Sequence, residues 1–363
     1  MTMHVTTDGD NPYAPVIRSF FHQQFPTWDL SNRDLLEALT SAFLATNNLR
    51  YGPIPSPEVL VGIRDEIRGA ILEQKSIPVL IPWGGRKADL RSGLDVAEVM
   101  AMRQIQDLQH RVTGFYAPGI KANIRLEDVN AYLLFESDGA AGRIAVAQYV
   151  EGMKALIEVL GMSDFLTPRP ESSMFTEHEY MRTARLIEEP LATYLTMTDN
   201  MADEALHKTS MYEALKAEGW QGIIPTEQRI YYLKLYARLY PSAGHQENLA
   251  RMARYFAGAW ARHKLGGIGG KGIQIAFTPP VPGAPDGLFS KRVYYRTLPA
   301  SMARTHIPGW RARGYLKISD SSVTPKLASF HDLPEGLEHC SVTLSSDDGI
   351  SRVTVETPYV VVG

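Results

Sequence analysis

The segment from Ile77 to Glu136 constrains the fold more than any other part of the sequence. An apolar strand, Ile77–Ile81, leads into a loop with glycines and cations, Pro82–Lys87, and then into a helix that opens at Asp95. A tight turn, Tyr116–Gly119, is followed by a second strand that carries Glu127 and Asp128. Ligands of α/β folds bind where loops leave the carboxyl ends of strands. The loop after the first strand is therefore the first candidate site.

Composition bounds the class of protein. The chain has 363 residues, of which 44% are apolar, so it has material for one elaborate domain or two closely packed lobes. Its net charge of −3 arises from mixed acidic and basic residues, which does not favour nucleic acid as a partner. A single cysteine, Cys340, excludes an internal disulfide framework and a cysteine-rich zinc site, and it fits a reducing compartment.

Neither a signal peptide nor a membrane helix is expected. Met1–Asn11 is polar, and the sequence contains no apolar run of about 18 residues or more. We therefore expect a cytoplasmic protein with no membrane partner.

Helix and strand patterns alternate along the chain, which predicts an α/β fold. We expect a Rossmann-like sheet with helices on both faces, plus a helical and then β-rich C-terminal part. The predicted units are an N-terminal helical segment, a Rossmann-like domain and a C-terminal domain that closes the cleft: residues 1–54, 55–165 and 175–363. Residues 166–174 are the predicted linker, and a strand is predicted near Ala131–Phe135. Ser341–Ser345 and Arg352–Glu356, with Asp-Asp-Gly between them, predict a closing hairpin.

The loop after the first strand has the composition of an anion cradle. Gly84 and Gly85 allow close approach of the backbone, while Arg86, Lys87 and Arg91 supply positive charge. The loop matches neither the phosphate loop of nucleotide triphosphatases nor the dinucleotide-binding pattern. An ordinary solvated turn with surface cations is the alternative.

Two sets of polar residues accompany this loop. Asp95 and Glu98 could bind an amine or exchange protons, but their spacing is also that of a capping box. Tyr116, Arg125, Glu127 and Asp128 belong to the second set; polar groups beside a central strand are expected to line a ligand crevice, although Pro118-Gly119 is explained by a turn alone.

A second glycine-rich stretch, Gly266–Gly272, follows a helical pattern with Leu249, Met252, Phe256, Trp260 and His263 on one stripe. Gly266 is therefore predicted to cap the carboxyl end of that helix, which repels anions. The ten histidines show no metal-ligand spacing, and we expect no metal.

Several motifs of this region resemble the isocyanide synthase family, the pyoverdine and dityrosine biosynthesis proteins. The matching elements are Ile77-Pro78-Val79-Leu80-Ile81-Pro82, Lys87, the acidic helix start at Asp95 and Glu98, Tyr116-x-Pro118-Gly119, and Glu127-Asp128. A weaker match is Gly219-Trp220-x-Gly222. The family's two late histidine motifs correspond only to Ile318–Ser322 and Thr357–Val360, which have no histidine.

The resemblance implies a metal- and cofactor-independent biosynthetic enzyme of secondary metabolism. Such enzymes convert the α-amino group of an aromatic amino acid into an isonitrile, with ribulose 5-phosphate as carbon donor. On this hypothesis Lys87 and Arg86 hold the phosphate, or Lys87 acts as an amine catalyst, with Gly84, Gly85 and Arg91 beside them. The remaining candidates bind the amine, transfer protons or line the pocket, with Glu98 and Asp128 as the catalytic carboxylates: Asp95, Glu98, Tyr116, Arg125, Glu127 and Asp128.

Two other classes stay open. One is another transferase or lyase that acts on a nucleotide or nucleobase, and the other is a non-catalytic ligand-binding homologue that has lost the family's histidines. The expected partners are small molecules, an amino acid-like amine and a sugar phosphate. A homo-oligomer is compatible with the sequence.

Overall fold

A computed structural model of the chain describes residues 4–22, 34–44, 55–84, 93–129, 139–198, 205, 208–220, 224, 226–266, 272–277, 292–295, 312–319, 322–329 and 333–362. All structural statements below refer to these residues. The predicted strand near Ala131–Phe135 lies outside them, as do Gly85, Arg86, Lys87 and Arg91.

The described residues contain nine helices and eleven strands. The helices are α1 (Ala14–His22), α2 (Leu35–Leu44), α3 (Pro57–Glu73), α4 (Val96–Thr113), α5 (Gly139–Val159), α6 (Glu177–Thr198), α7 (Ser210–Ala217), α8 (Thr226–Leu239) and α9 (His245–Lys264). The strands are β1 (His4–Thr7), β2 (Ile77–Gly84), β3 (Leu94–Asp95), β4 (Ile120–Glu127), β5 (Leu166–Pro170), β6 (Ile273–Ala276), β7 (Arg292–Tyr294), β8 (Ala312–Ser319), β9 (Ser322–Ser329), β10 (Glu338–Ser345) and β11 (Arg352–Val361).

Five parallel strands form the sheet that positions the candidate site. Their order is β5-β4-β2-β6-β7. The chain thus proceeds outward from β2 through β4 to β5, then returns to the other side of β2 to add β6 and β7. The order reverses between β2 and β6, and ligands of doubly wound sheets bind outside the carboxyl ends of the strands at such a point. The predicted α/β class with a Rossmann-like sheet is confirmed.

Helices cover both faces of this sheet. The apolar side chains of β2 and β4, among them Val79, Ile81 and Ile124, share one core with α3, α4 and α5. Helices α6 to α9 pack around a second apolar core. Helix α9 reaches the opposite face of the sheet, where Arg262 contacts Glu127 of β4.

The prediction of a linker at residues 166–174 is wrong. These residues form β5, in register with β4, and a single 3-10 turn, Glu171–Ser173. Pro168 and Pro170 gave the segment the appearance of a connector. An edge strand tolerates proline because, on its outer side, no neighbouring strand needs a hydrogen bond from its backbone N–H. β5 lies at the edge of the sheet.

The parallel sheet does not close within the predicted unit of residues 55–165. Strands β6 and β7 lie beyond it in sequence, and β6 pairs directly with β2 through Val79–Ile273 and Leu80–Gln274. The long helical excursion α6–α9 separates these strands from β5. No local pattern marks the return of the chain to β2. The sheet therefore includes β6 and β7, although both lie outside the predicted unit of residues 55–165.

A second sheet contains the C-terminal strands. Its order is β1-β10-β11-β8-β9, and β3 also pairs with β11. The predicted closing hairpin is confirmed: β10 and β11 are antiparallel up to the Ser345–Arg352 pair, and Gly349 in the turn has a φ of 69°. Because β3 leads directly into α4, the amino end of α4 is fixed against this second sheet.

Local signals account for the helix ends. Ser56 accepts a hydrogen bond from the amide of Val59 and Pro57 occupies the first turn, which explains where α3 begins. Gly266 follows α9 with a φ of +76°, which confirms the predicted glycine cap. Among the described residues no helix is both long and apolar enough to span a membrane.

Candidate functional site

The face of the parallel sheet that lies towards α9 is polar. On β4, Ala122, Ile124 and Leu126 are buried in the main core, whereas the alternate residues Arg125 and Glu127 are only half-buried. Parallel strands are usually apolar on both faces because helices cover both. Alternation on a central parallel strand therefore indicates that this face borders a cleft.

Small residues occupy the middle of this face near the carboxyl ends of the strands. β2 contributes Pro82 and Gly84, and β6 contributes Ala276. Longer polar side chains flank them, Arg125 and Glu127 on β4 and Arg292 and Tyr294 on β7, and Gly84 lies in register with Glu127. The sheet face is therefore concave at the point where the strand order reverses.

Helix α9 places a buried cation over the β4 side of this concavity. Arg262 Nη2 donates to Glu127 Oε1 at 2.7 Å, and its Nε donates to the carboxylate of Glu171. Glu171 is fully buried and Arg262 is 6% exposed. Burial by itself would lower the pKa of Arg262, but Glu127 and Glu171 outweigh it and raise that pKa. Arg262 is therefore a permanent positive charge held between two carboxylates.

The β7 side of the concavity contains a second guanidinium. Arg292 donates through Nε and Nη2 to Oε1 of Gln274, at 2.9 and 2.7 Å, and burial lowers its pKa. The charges of Glu127, Arg262 and Arg292 act on Tyr255 of α9. Its hydroxyl accepts a hydrogen bond from the hydroxyl of Tyr232 at 3.1 Å. Burial raises the pKa of Tyr255, so its hydroxyl keeps its proton at neutral pH.

Arg125 has an unmatched donor among the described residues of this face. Its Nη1 is buried and has no hydrogen-bond partner in the described part of the chain. Burial, followed by the nearby charge of Arg262, lowers the pKa of Arg125, while Glu171 and Glu127 oppose that shift. A buried guanidinium nitrogen without a partner is costly unless a ligand supplies an acceptor.

Asp95 and Glu98 form a different network, beneath the opposite face of the sheet. Trp83, which alternates with Pro82 and Gly84, donates from Nε1 to the Tyr149 hydroxyl at 2.8 Å, and that hydroxyl donates to Glu98 Oε1 at 3.0 Å. Burial and the neighbouring Glu98 raise the pKa of Tyr149 well above its ordinary value. The second oxygen of Glu98 accepts from the amide of Asp95 at 2.9 Å.

Asp95 is satisfied by protein groups. Its Oδ1 accepts from the amides of Ala97 and Gly314 at 2.7 and 3.1 Å, and its Oδ2 pairs with Arg313 at 3.2 Å. Together with Glu98 it makes a complete capping box at the start of α4. The capping box accounts for the contacts of these two carboxylates within α4, and the structure does not bring them together with Arg125 and Glu127.

Two other candidates occupy separate positions. Asp128 follows β4 and accepts from the amide of Ser172 at 3.1 Å, which orders the turn that carries Glu171. Tyr116 precedes β4, and its hydroxyl contacts the carbonyls of Ala70 and Lys75, each at 2.8 Å. Tyr116 therefore lies at the amino ends of the strands, away from the cleft.

Sequence reasoning missed the residues that complete the cleft. Arg262, Glu171 and Arg292 were not singled out, and His263, predicted on the buried stripe of α9, is exposed while its neighbour Arg262 is buried. Arg262 lies one position away from the apolar stripe, so the helical pattern did not predict that it is buried. Within the described residues no group of three or more histidine, cysteine or acidic side chains is arranged to hold a metal ion.

No protein-family model matches the sequence, and a search of curated proteins finds no significant match. Among solved structures, the PvcA protein of Pseudomonas aeruginosa superposes with a TM-score of 0.52 at 14% identity, covering 90% of this chain and 100% of that one.

Two further structures match with lower scores. A cyclodipeptide synthetase of Mycobacterium tuberculosis gives a TM-score of 0.31 at 12% identity, covering 70% of this chain and 99% of its own. The tyrosyl-tRNA synthetase of Pyrococcus horikoshii gives 0.25 at 16% identity, covering 52% and 47%. Scores this low do not establish a shared overall fold, whereas the PvcA score does. The chain therefore shares the overall fold of PvcA.

Proposed function

We propose that this chain is a biosynthetic enzyme of the isocyanide synthase kind, which joins an amino acid-like amine with a sugar phosphate. The observation that carries the proposal is the position of Arg125 and Glu127, two residues apart on β4 and facing the same cleft. A guanidinium suits a phosphate or carboxylate, and a carboxylate suits an ammonium group. The fold shared with PvcA supports the proposal, and the motifs of Ile77–Asp128 resemble the isocyanide synthase family.

In this proposal Glu127 binds the amine. Its side chain is 21% exposed and contacts Arg262. Lys87 keeps its proposed catalytic role, because it follows Gly84 by three residues and Gly84 is in register with Glu127. Arg86 and Arg91 remain proposed ligand-binding residues. Asp95, Glu98 and Asp128 act through position: they fix α4 and the Glu171 turn on either side of the sheet.

The direct test is product formation. Purified protein is incubated with ribulose 5-phosphate and isotope-labelled tyrosine or tryptophan, and the products are analysed by mass spectrometry for a labelled isonitrile. We expect product that requires both substrates and that Lys87→Ala abolishes. Absence of isonitrile from every aromatic amino acid tested would contradict the proposal.

Two controls separate the alternatives. Thermal stabilisation by ribulose 5-phosphate or by an amino acid without any turnover would indicate a ligand-binding homologue. Stabilisation by nucleotides, with none by ribulose 5-phosphate, would indicate the nucleotide-directed class.

A further inference from the structure

Arg125 has a neighbour of the same charge. Arg169 lies on β5 in register with Arg125 on β4, and register partners in a sheet project from the same face of strands about 4.8 Å apart. Arg169 is exposed, whereas Nη1 of Arg125 is buried. The pair therefore extends from the rim of the sheet towards the interior of the cleft.

The nearby carboxylates pair with a different arginine. Glu127 and Glu171 both contact Arg262, and in the described part of the chain neither Arg125 nor Arg169 has an ion pair of its own. Three guanidinium groups, Arg125, Arg169 and Arg262, thus face two carboxylates. The local excess of positive charge lies on the Arg125–Arg169 pair, where like charges repel unless an anion lies between them.

We propose that Arg125 and Arg169 form an oxyanion subsite that binds the phosphate of a phosphorylated substrate at the β4–β5 edge of the cleft. Adjacent guanidinium groups offer parallel N–H donors, which fit the oxygens of a phosphate in the bidentate manner. A phosphate monoester carries between one and a half and two negative charges at neutral pH, roughly matching two guanidinium groups. A carboxylate would match only one.

The subsite also gives the two substrates separate places. Glu127 lies two residues beyond Arg125 on the same face of β4, so a phosphate on Arg125 and an amine on Glu127 would be about 7 Å apart along the strand. This inference rests on the proposed function for the identity of the sugar phosphate. It leaves Lys87 available for catalysis instead of phosphate binding.

The test measures binding by calorimetry to the full-length chain, with ribulose 5-phosphate, inorganic phosphate, phosphate-free ribulose and tyrosine as separate probes. Arg125→Gln and Arg169→Gln are each expected to weaken ribulose 5-phosphate and inorganic phosphate by about tenfold or more, the cost of a lost charged hydrogen bond. Neither should change tyrosine binding. Because Arg169 is exposed, its variant guards against a folding defect in Arg125→Gln.

Lys121→Gln is the matched control. Lys121 lies on the same strand and face, four residues before Arg125, and its Nζ bonds the carbonyl of Asp164. The substitution removes a positive charge about 13 Å from Arg125. We expect it to leave phosphate binding unchanged.

Three results would overturn the subsite. These are unchanged phosphate binding in both arginine variants, an equal loss in Lys121→Gln, and a loss confined to tyrosine, which would assign the pair to a carboxylate. The inference and the proposed function fail separately. Arginine-dependent binding of ribulose 5-phosphate without isonitrile would retain the subsite and refute the function, whereas isonitrile formation with normal binding by the variants would do the reverse.

Discussion

Arg262 of α9 donates to Glu127 of β4 at 2.7 Å, which joins the helical part of the chain to the floor of the cleft. The same guanidinium holds the fully buried Glu171 at the end of β5. One side chain thus sets the distance between the helices and two strands of the parallel sheet. It also neutralises Glu127 in part, so that the amine-binding role proposed for Glu127 depends on a residue that lies 135 positions away in the sequence.

Replacing Arg262 with methionine is expected to destabilise the protein strongly. The change leaves Glu171 buried without its cation, and breaking a buried ion pair from one side costs about 3–5 kcal/mol. The free energy of unfolding is measured by urea titration. Arg254→Met is the matched control on the same helix, because Arg254 pairs with Glu188 at 3.0 Å where both side chains are part-exposed, and such a pair contributes about 0–1 kcal/mol. Equal losses in the two variants would show that Arg262 is not the central contact.

Asp95→Ala is expected to cost far more stability than the loss of an ordinary helix cap. Besides capping α4, Asp95 is the buried partner of Arg313, which would lose this 3.2 Å pair and keep the longer contact with Glu356, at 3.9 Å. We expect a loss of about 3–5 kcal/mol. Asp34→Ala is the control: Asp34 is exposed and caps α2 through the amides of Leu36 and Glu37, so its loss should cost about 1 kcal/mol. A comparable loss of stability in both variants would mean that Asp95 contributes no more than an ordinary helix cap.

The sequence predicted those parts of the fold that depend on neighbouring residues. The strand at Ile77, the helix opened by Asp95 and the C-terminal hairpin each have a local signal, and each is present. Gly84 ends β2, so the glycine loop follows the carboxyl end of a strand of the parallel sheet, as predicted.

The composition of the cleft depends on contacts that no local pattern specifies. Glu98 and Glu127 are both acidic residues close to β2 and β4, but the alternation of the strands places them under opposite faces. Arg313 meets Asp95 across 218 positions. Tertiary pairing over such separations selects among many acidic and basic residues, so a single sequence provides no means of choosing the partners.

Gly272→Ala is expected to prevent β6 from docking against β2. Gly272 has a φ of +117°, and a Cβ there would lie 2.5 Å from the carbonyl oxygen of Pro78. Gly266→Ala is the matched control, because its φ of +76° is also positive but a Cβ would meet nothing within 4 Å. We expect Gly266→Ala to cost about 1–2 kcal/mol from backbone strain alone and Gly272→Ala to lower the melting temperature considerably further. Similar melting temperatures would mean that the β2–β6 contact accommodates the added methyl group with little loss of stability.

Cys340 is expected to resist thiol reagents in the native protein. The side chain is buried, and burial, with a smaller effect of Asp8, raises the pKa of the Cys340 thiol to about 11. At pH 8 about one thiol in a thousand is then ionised, and only the thiolate reacts. We expect slow modification at pH 8 that accelerates with pH, and rapid modification in urea. Rapid modification of the native chain at pH 8 would place Cys340 at an accessible surface.

Tyr116→Phe separates a structural role from a role in the pocket. The Tyr116 hydroxyl contacts two backbone carbonyls at the amino ends of the strands, and β4 runs seven residue steps from Ile120 to Glu127, about 23 Å. Removal of the hydroxyl is expected to cost about 1 kcal/mol of unfolding free energy and to leave both turnover and ribulose 5-phosphate binding unchanged. Glu127→Gln, measured in parallel, should lower kcat/KM because it removes the charge proposed to bind the amine. A loss of kcat/KM in Tyr116→Phe without a loss of stability would return Tyr116 to the substrate pocket.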